Sequence, residues 1–181
     1  MDKAKSKPKI IIITGPESTG KTTIAQALAK HLNGIYIPEL ARNYIAGLNR
    51  KYTYSDILTI AEQQRDEFNK IVKSDKSPGI YIIDTYLILT KIWFLWNSGK
   101  FPDWIDNSIN DSKLALYLLC NTELEWIPDS VRENGGEARE KLFNEYQKEL
   151  EKNSFSYKII SGKNNSRIAN AITFAKEYIE R

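Results

Sequence analysis

The chain has 181 residues, of which 41% are hydrophobic and 27% are charged, with a formal net charge of +3. This length suits one domain with a full core, and the composition is ordinary for a globular protein. The small net charge, with no dense block of Lys and Arg, argues against a nucleic-acid partner.

The N-terminal residues 1–9 are basic and are predicted to form a solvated leader. The apolar run that follows, residues 10–13, is too short for the core of a signal peptide or for a bilayer span. The single cysteine, Cys120, closes an apolar run and cannot form an internal disulfide, so we expect a buried thiol and a reducing compartment. Together these features predict a cytoplasmic protein with no membrane partner.

Short apolar runs alternate with amphipathic stretches along the chain, which predicts a parallel sheet with crossover helices. The predicted strands are residues 10–14, 35–37, 80–84, 114–119 and 157–160. The predicted helices are residues 22–32, 39–48, 55–74, 86–96, 137–153 and 166–180. No repeat or linker divides the chain, so we expect one α/β domain over residues 10–181, a three-layer sandwich with a five-stranded, mostly parallel sheet. A polar segment near residues 127–140 is predicted to be a small lid.

A glycine-rich run, GPESTGKT, follows the first predicted strand and fits G-x-x-x-x-G-K-[ST], the phosphate-binding P-loop. Glycines at both ends let the backbone approach phosphates, and the amides at the start of the next helix point at the anion. Lys21 would reach the β- and γ-phosphates, and the Thr22 hydroxyl would bind Mg²⁺. The predicted nucleotide-binding residues are Gly15, Pro16, Glu17, Ser18, Thr19, Gly20, Lys21, Thr22 and Thr23. The sequence therefore predicts an ATP site with Mg²⁺; a plain glycine turn is the alternative.

Asp84 ends the third predicted strand, where packing explains a carboxylate poorly. A P-loop protein needs an acid at such a position to hold Mg²⁺, usually through water. Thr22 and Asp84 are therefore the predicted metal-site residues. The alternative is that Asp84 caps the helix that follows it, because Asp is a favoured N-cap.

Glu39 and Arg42 follow the second predicted strand, at the sheet edge where open α/β sheets bind ligands. We expect Glu39 to contact an acceptor hydroxyl, with a possible role as base, and Arg42 to steady charge on the transferring group. Their spacing is also that of a surface ion pair on one helix face. Sequence leaves the choice of base between Glu39 and Asp84 open.

Arg132 and Arg139 flank the predicted lid, and Arg132 is the candidate that would bring a cation to the transferring phosphoryl group on closure. Trp93 and Trp96 lie three residues apart on the helix that starts beside Asp84. They could offer a flat wall to a ring substrate, including a cationic one, although aromatic stripes also pack cores.

Six segments recur in the order and spacing of one family: GPESTGKTT, PELARNYI, YTYSDILTIAEQQ, IYIIDTYLILTKIW, LYLLCNTELEWIPDSVREN and YKIISG. With them the chain resembles the ribosylnicotinamide kinase domain of the NadR type, over nearly its whole length from Ile10. The P-loop is generic, whereas PELAR together with IPDSVREN is much more specific. The resemblance implies a P-loop kinase fold of the AAA-like ATPase type and transfer of the ATP γ-phosphate to the 5′-hydroxyl of nicotinamide riboside, giving NMN.

The resemblance implies a role for each matching residue. The catalytic candidates are Lys21, Asp84, Glu39 and Arg132, and the substrate-binding candidates are Glu39, Arg42, Tyr86 and Trp93. The family usually has Asp-Thr-Asp where this chain has Asp84-Thr85-Tyr86, so the second acid is replaced. Full-length bifunctional relatives carry an adenylyltransferase domain with paired histidines, and this chain has one histidine. We therefore expect a kinase domain without that second activity.

Two other interpretations remain. One is a kinase for another nucleoside or small metabolite, because nothing but the family likeness separates nicotinamide from a nucleobase. The other is an ATP-binding regulatory module without turnover. A GTPase is disfavoured, because no Asn-Lys-x-Asp segment follows a strand and NTEL at Asn121 does not fit that pattern.

Overall fold

A computed structural model describes residues 7–74, 79–128 and 135–181. The strands are β1 (Lys9–Thr14), β2 (Ile35–Ile37), β3 (Ile80–Asp84), β4 (Leu116–Cys120) and β5 (Tyr157–Ile160). The helices are α1 (Lys21–His31), α2 (Leu40–Ala46), α3 (Tyr54–Lys73), α4 (Leu87–Ser98), α5 (Trp104–Asp111), α6 (Glu137–Lys152) and α7 (Asn164–Ile179).

The five strands form one sheet in the order β2-β3-β1-β4-β5, and every neighbouring pair is parallel. β1 is the central strand, and alternate side chains on it face opposite sides of the sheet. Ile10 and Ile12 belong to a core built with α3, α4, α5 and α6. Ile11 and Ile13 belong to a second core built with α1 and α7. Two helical layers thus cover the sheet, which confirms the predicted α/β three-layer sandwich.

The order of the strands creates the crevice that the site occupies. β1 is followed by α1 on one face of the sheet, whereas its neighbour β3 is followed by α4 on the other face. The chain therefore turns to opposite faces of the sheet after these two adjacent strands. Open α/β sheets bind ligands in the crevice that forms at such a point. The P-loop after β1 and Asp84 at the end of β3 meet at this point.

The fourth predicted strand begins too early. Ser112–Leu114 form a turn of 3₁₀ helix, and β4 begins only at Leu116. Leu114 is 39% exposed, so its apolar side chain does not belong to the buried run. Helix α5 was not predicted from the sequence, because Asp, Asn and Ser make up five of its eight residues and favour turns over helix interiors. Its apolar Ile105 and Ile109 lie four residues apart and are buried in the core.

The predicted lid, residues 127–140, is described only in part, because residues 129–134 lie outside the described ranges. The backbone N–H of Ile127 donates to Ser18 Oγ at 2.9 Å, so the chain leading to this segment is held on the P-loop. Within residues 7–74, 79–128 and 135–181, no helix is both long enough and apolar enough to span a bilayer.

Candidate active site

The P-loop joins β1 to α1, and its two glycines have conformations that the loop requires. Gly15 has a φ of +131°, and a Cβ atom there would lie 2.6 Å from the carbonyl oxygen of Cys120 at the end of β4. Gly20 has a φ of +78° and is the N-cap of α1. Since other residues rarely adopt such angles, and the first position has no room for a side chain, both glycines are structurally required.

The loop is braced by side chains that turn back onto its own carbonyl groups. Thr19 Oγ1 and Lys21 Nζ donate to the carbonyl oxygen of Pro16, at 2.8 and 2.7 Å. The first turn of α1 contains no acidic residue. The positive end of the helix dipole and the Lys21 ammonium therefore favour an anion at this end of the crevice.

Asp84 meets the P-loop helix through a short hydrogen bond, because Thr22 Oγ1 donates to Asp84 Oδ2 at 2.6 Å. The Tyr36 hydroxyl donates to the same oxygen at 3.3 Å. Asp84 is only 1% exposed. Burial raises the pKa of its carboxyl group, and the negative charge of Glu39 adds to the shift, whereas the Thr22 hydrogen bond and Lys21 oppose it. Burial and the charge of Asp84 raise the pKa of Tyr36 to about 12.

The alternative role of Asp84 as a helix cap does not apply. Asp84 is the last residue of β3, and the N-cap of α4 is Tyr86, two residues later. Between them, Thr85 has a φ of +71°, which is unusual for a β-branched residue. Its backbone N–H donates to the carbonyl oxygen of Ile13 at 3.0 Å. Strained backbone of this kind persists only where the surroundings hold it, and it is concentrated at functional sites.

Thr22 and Asp84 fit a magnesium site. Asp84 Oδ1 is buried and has no hydrogen-bond partner, although its companion oxygen is bound to Thr22. An unpaired buried carboxylate oxygen costs free energy, and a hydrated cation would satisfy it. No cluster of three or more His, Cys, Asp or Glu side chains that could hold a metal occurs among the described residues. Mg²⁺ needs no such cluster, because it is usually bound by one or two carboxylates together with waters and phosphates.

A continuous cleft of about 390 Å³ runs from the P-loop to an aromatic wall, a volume typical of small-molecule sites. Its nucleotide end is lined by Gly15, Glu17, Ser18, Thr19, Gly20, Lys21, Thr22 and Thr23. Its other end is lined by Glu39, Ala41, Arg42, Ile45, Tyr52, Leu89, Ile92, Trp93, Trp96, Asn97, Leu142 and Tyr146. One opening thus contains most of the residues that the sequence indicated for nucleotide and acceptor.

Glu39 and Arg42 line the cleft and also form an ion pair, with Arg42 Nε donating to Glu39 Oε2 at 3.3 Å. Glu39 is the N-cap residue of α2 but makes no capping hydrogen bond with its side chain. Only 17% of the Glu39 side chain is exposed, against 43% for Arg42. The ion pair therefore exists and lies inside the cleft, while the roles of Glu39 and Arg42 toward an acceptor stay predictions.

The aromatic wall comes from two parts of the chain. Trp93 on α4 packs edge-on against Tyr52, with ring centroids 4.8 Å apart. The Tyr52 hydroxyl contacts Asn97 Oδ1 at 3.4 Å, and Asn97 Nδ2 donates to the carbonyl oxygen of Trp93 at 3.1 Å. Trp96, also in the wall, is 45% exposed. The side chain of Trp93 is thus held by its neighbours, whereas that of Trp96 is partly exposed to solvent.

The structure does not bring Tyr86 into the cleft. The Tyr86 side chain is 2% exposed and stacks on Phe68 of α3, with ring centroids 4.8 Å apart. An apolar ring is buried more favourably in the core than an acid would be, so the residue that replaces the family's second acid has become part of the packing. The predicted substrate contact of Tyr86 is therefore not present in this structure.

Of the two arginines that flank the predicted lid, the structure describes only Arg139. Arg132 lies outside the described residues. Arg139 is 6% exposed in the first turn of α6, and its Nη2 donates to the carbonyl oxygens of Leu124 at 2.7 Å and Ser18 at 3.3 Å. Arg139 thus holds the P-loop from behind in this structure.

Several residues of the site were not indicated by the sequence. Tyr52 and Tyr146 both line the cleft. Tyr146 follows Leu142 by four residues on α6, and this helical spacing could have shown that these two side chains share one face. Tyr36, in a strand of three residues, carries no motif. Arg167 of α7 donates to the carbonyl oxygen of Thr19 at 3.0 Å from a position 148 residues away, and no local pattern could reveal this contact.

Comparisons with known proteins identify the family and the fold. An AAA domain family model, AAA_28, matches residues 10–167. A search of curated proteins gives no significant match. A NadR protein in complex with NR is similar in structure, with a TM-score of 0.79 and 23% identity over 98% of this chain and 53% of that chain. A NadR protein in complex with NAD and AMP-PNP gives a TM-score of 0.73 and 23% identity over 96% of this chain and 50% of that chain.

The thymidylate kinase from Ehrlichia chaffeensis is also similar, with a TM-score of 0.66 and 18% identity over 96% of this chain and 100% of that chain. The chain spans about half the length of the NadR chains that it matches. The similarity of the sequence to the NadR-type kinase domain is thus confirmed in the fold. This chain belongs to the AAA domain family AAA_28 and has the fold of P-loop nucleoside kinases.

Proposed function

We propose that this chain is an ATP-dependent kinase that phosphorylates the 5′-hydroxyl of nicotinamide riboside to give NMN. The observation that carries the proposal is the single cleft that joins the P-loop to Glu39, Arg42 and the aromatic wall. A kinase requires a donor site and an acceptor site that open into each other, because the two reacting atoms must lie in line and in contact.

At the donor end, the P-loop amides and Lys21 would bind the phosphates of ATP. Thr22 and Asp84 would hold Mg²⁺, with the unpaired Asp84 Oδ1 bound to its hydration shell. The metal would neutralise charge on the β- and γ-phosphates as the transferred group departs. Two carboxylates in the same crevice, Glu39 and Asp84, add negative charge that this cation would offset.

At the acceptor end, the 5′-oxygen of the riboside would attack the γ-phosphorus as the bond from that phosphorus to the β,γ-bridging oxygen breaks. The hydroxyl proton passes to a carboxylate, and ADP leaves with the bridging oxygen. Glu39 lines the cleft, whereas Asp84 is buried beneath Thr22, so we assign the base role to Glu39. Arg42, bound to Glu39, would steady charge on the transferring group.

The acceptor is proposed to be nicotinamide riboside because its pyridinium ring is cationic. The faces of Trp93 and Trp96 would attract a cation more than a neutral base, by about 1 kcal/mol. Glu39 in the same cleft adds a negative charge. A neutral nucleobase would stack on the same wall but would lack this electrostatic attraction.

The experiment is a comparison of kcat/KM for nicotinamide riboside, thymidine, deoxycytidine and adenosine, each with ATP, with the product identified by mass. We expect nicotinamide riboside to be preferred. An ordinary nucleoside that wins by tenfold or more would overturn the acceptor assignment and leave a nucleoside kinase. ATP binding without turnover on any acceptor would instead indicate a regulatory module.

The assignment of the base has its own test. Glu39→Gln is expected to lower kcat by about a hundredfold, within the range of general-base catalysis, and to remove the acidic limb of the pH–rate profile. Arg42→Gln breaks the same ion pair but keeps the carboxylate, so it serves as the matched control and should retain that limb. If both variants retain it, Glu39 is not the base.

A further inference from the structure

Arg167, in the first turn of α7, joins three parts of the nucleotide end of the molecule. Its Nη2 donates to the carbonyl oxygens of Thr19 at 3.0 Å and Asn121 at 2.9 Å. Its Nη1 donates to Asn121 Oδ1 at 2.8 Å and to the carbonyl oxygen of Gly162 at 3.1 Å. One guanidinium therefore links the P-loop to the residues that follow β4 and β5.

The charge of this guanidinium is buried, and within the described ranges it has no carboxylate in direct contact. Arg167 is 3% exposed, and its four acceptors are all neutral oxygens. Among the residues that the structure describes, no carboxylate forms an ion pair with it; the exposed Glu123, whose pKa Arg167 helps to lower, lies farther away. Arginine keeps its proton in proteins, so burial does not remove the charge.

The position of this charge favours the binding of an anion. Arg167 lies against the N-terminus of α1, where the helix dipole is positive, and its Nε is 4.0 Å from the position that a Cβ of Gly20 would take. Lys21 and Arg139 add two more cations around the same loop. A site that gathers like charges while it is free gains most when it binds a ligand of high negative charge.

Arg167 also orients a specific peptide group. In a trans peptide the C=O and N–H point in opposite directions, and the described residues contain no cis peptide. Since the carbonyl of Thr19 faces Arg167, the N–H of Gly20 in the same peptide faces away from it, toward the cleft that Gly20 lines. A charged donor on the carbonyl also polarises the peptide and strengthens the N–H as a donor.

We infer that Arg167 is a positioning residue for the P-loop, which aims the Gly20 amide and supplies from behind a positive charge that the phosphates of the nucleotide neutralise. The inference rests on the proposed function, because it requires the P-loop to bind a nucleotide. Its consequence is that nucleotide affinity depends on this buried charge more strongly as the number of phosphates increases.

The decisive variant is Asn121→Asp, which puts a carboxylate 2.8 Å from Arg167 Nη1 and keeps the guanidinium, at the loss of the side-chain hydrogen bond from Asn121 to Glu123. We expect the free protein to melt at a higher temperature, because the buried charge gains a partner. We also expect ATP to bind at least about tenfold more weakly and ADP to lose less affinity, as a charge effect requires. Calorimetric titration with ATP and ADP, beside thermal melting of the free protein, measures all three.

Two further variants make the test complete. Arg167→Gln removes the charge, and we expect it to reduce ATP affinity more than ADP affinity, with the loss shrinking as salt concentration rises. Asn110→Asp adds the same charge at an exposed position of α5 and should change neither affinity. If Arg167→Gln fails to fold, Asn121→Asp alone carries the test, because it removes no hydrogen bond that Arg167 makes.

The inference is overturned if Asn121→Asp leaves ATP affinity within twofold of the wild type. It is also overturned if ATP and ADP are weakened equally, or if melting temperature falls together with affinity, since a purely structural role of Arg167 predicts these results. If the wild-type chain itself does not bind ATP, the proposed function fails as well. If it binds ATP and only the variants give the results above, the inference about Arg167 fails alone.

Discussion

The two ends of the cleft are built in different ways. The nucleotide end comes mainly from one continuous stretch, residues 15–23, and is braced from behind by Arg139 and Arg167. The acceptor end is assembled from α2, α4, α6 and the chain around Tyr52, and hydrophobic packing holds much of it. The first end is built mainly from the backbone of one loop, whereas side chains from distant elements form the second end.

The largest expected effect is at the nucleotide end. Lys21→Ala should lower kcat by about a thousandfold or more, because it removes the cation that the P-loop directs at the transferring group. Lys21 lies where the loop meets α1, and its Nζ donates to the loop carbonyl oxygen of Pro16, so the melting temperature should change little. Steady-state kinetics and thermal melting check both statements.

Lys30→Ala, on an exposed face of the same helix, is the control for Lys21→Ala and should behave as the wild type. Near-normal turnover by Lys21→Ala with any acceptor would mean that the P-loop does not serve phosphoryl transfer in this chain.

Asp84→Asn should lower kcat by about a hundredfold while ATP affinity falls much less, because the metal acts mainly on the transition state. Burial raises the pKa of Asp84, so the neutral amide should leave the unfolding free energy unchanged or slightly higher. Titration with ATP, steady-state kinetics and denaturant unfolding separate these effects. Asp103→Asn, at an exposed position outside the cleft, is the control; a large loss of stability with activity spared would make Asp84 a structural residue.

Trp93→Leu tests the acceptor end alone. We expect the KM for the acceptor to rise by about fivefold, since an aromatic contact of about 1 kcal/mol is lost, while the affinity for ATP is unchanged. Trp104→Leu removes an indole that packs against the same core but does not line the cleft, so it controls for lost packing. An equal rise in KM in both variants would remove Trp93 from the acceptor site.

The smallest expected effect concerns the loop beneath the acceptor end. Asp56 accepts hydrogen bonds from Arg50 at 2.6 and 2.9 Å, and from Thr53, and these interactions hold its pKa below the usual range. A lowered folded-state pKa contributes stability above the pKa of the unfolded chain, about 4, and this stability is lost as pH falls toward the folded-state value. Asp56→Asn should therefore melt at a lower temperature at pH 7.

The difference between Asp56→Asn and the wild type should shrink as the pH is lowered below about 4, which melting curves across pH can measure. Asp66→Asn, exposed on the same helix, is the control. A difference that does not change with pH would show that Asp56 acts through packing and not through its charge.

The contrast between the two ends also explains what the sequence could predict. The position and conformation of the P-loop could be predicted, because backbone geometry ties Gly15, Gly20 and Lys21 to fixed spacings; that it binds a nucleotide stays a prediction. Asp84 and Glu39 were indicated because each lies at or just after a strand end, and Trp93 because its helix begins beside Asp84. The structure places Glu39 and Trp93 in the cleft, and their roles stay predictions. Tyr52, Tyr146 and Arg167 were missed, since their positions depend on how distant helices pack.

The errors have physical causes as well. Tyr86 was predicted from family resemblance to contact the substrate, but an aromatic side chain at this position finds a partner in Phe68 and enters the core. Leu114 was assigned to a strand because it is apolar, although the turn of 3₁₀ helix before β4 leaves it exposed. Helix α5 was missed because its polar residues have low helix propensity, which the buried Ile105 and Ile109 override.

The central strand has a consequence for how the chain folds as it leaves the ribosome. β1 is made first, but its partners β3 and β4 begin 71 and 107 residues later. Until they emerge, four consecutive isoleucines of high β-propensity have no partner strand, and such segments are prone to pair with other chains. The lysines at positions 3, 5, 7 and 9 immediately before this run carry the positive charge that limits such pairing. We expect this charge to reduce aggregation of the nascent chain before β3 and β4 are made.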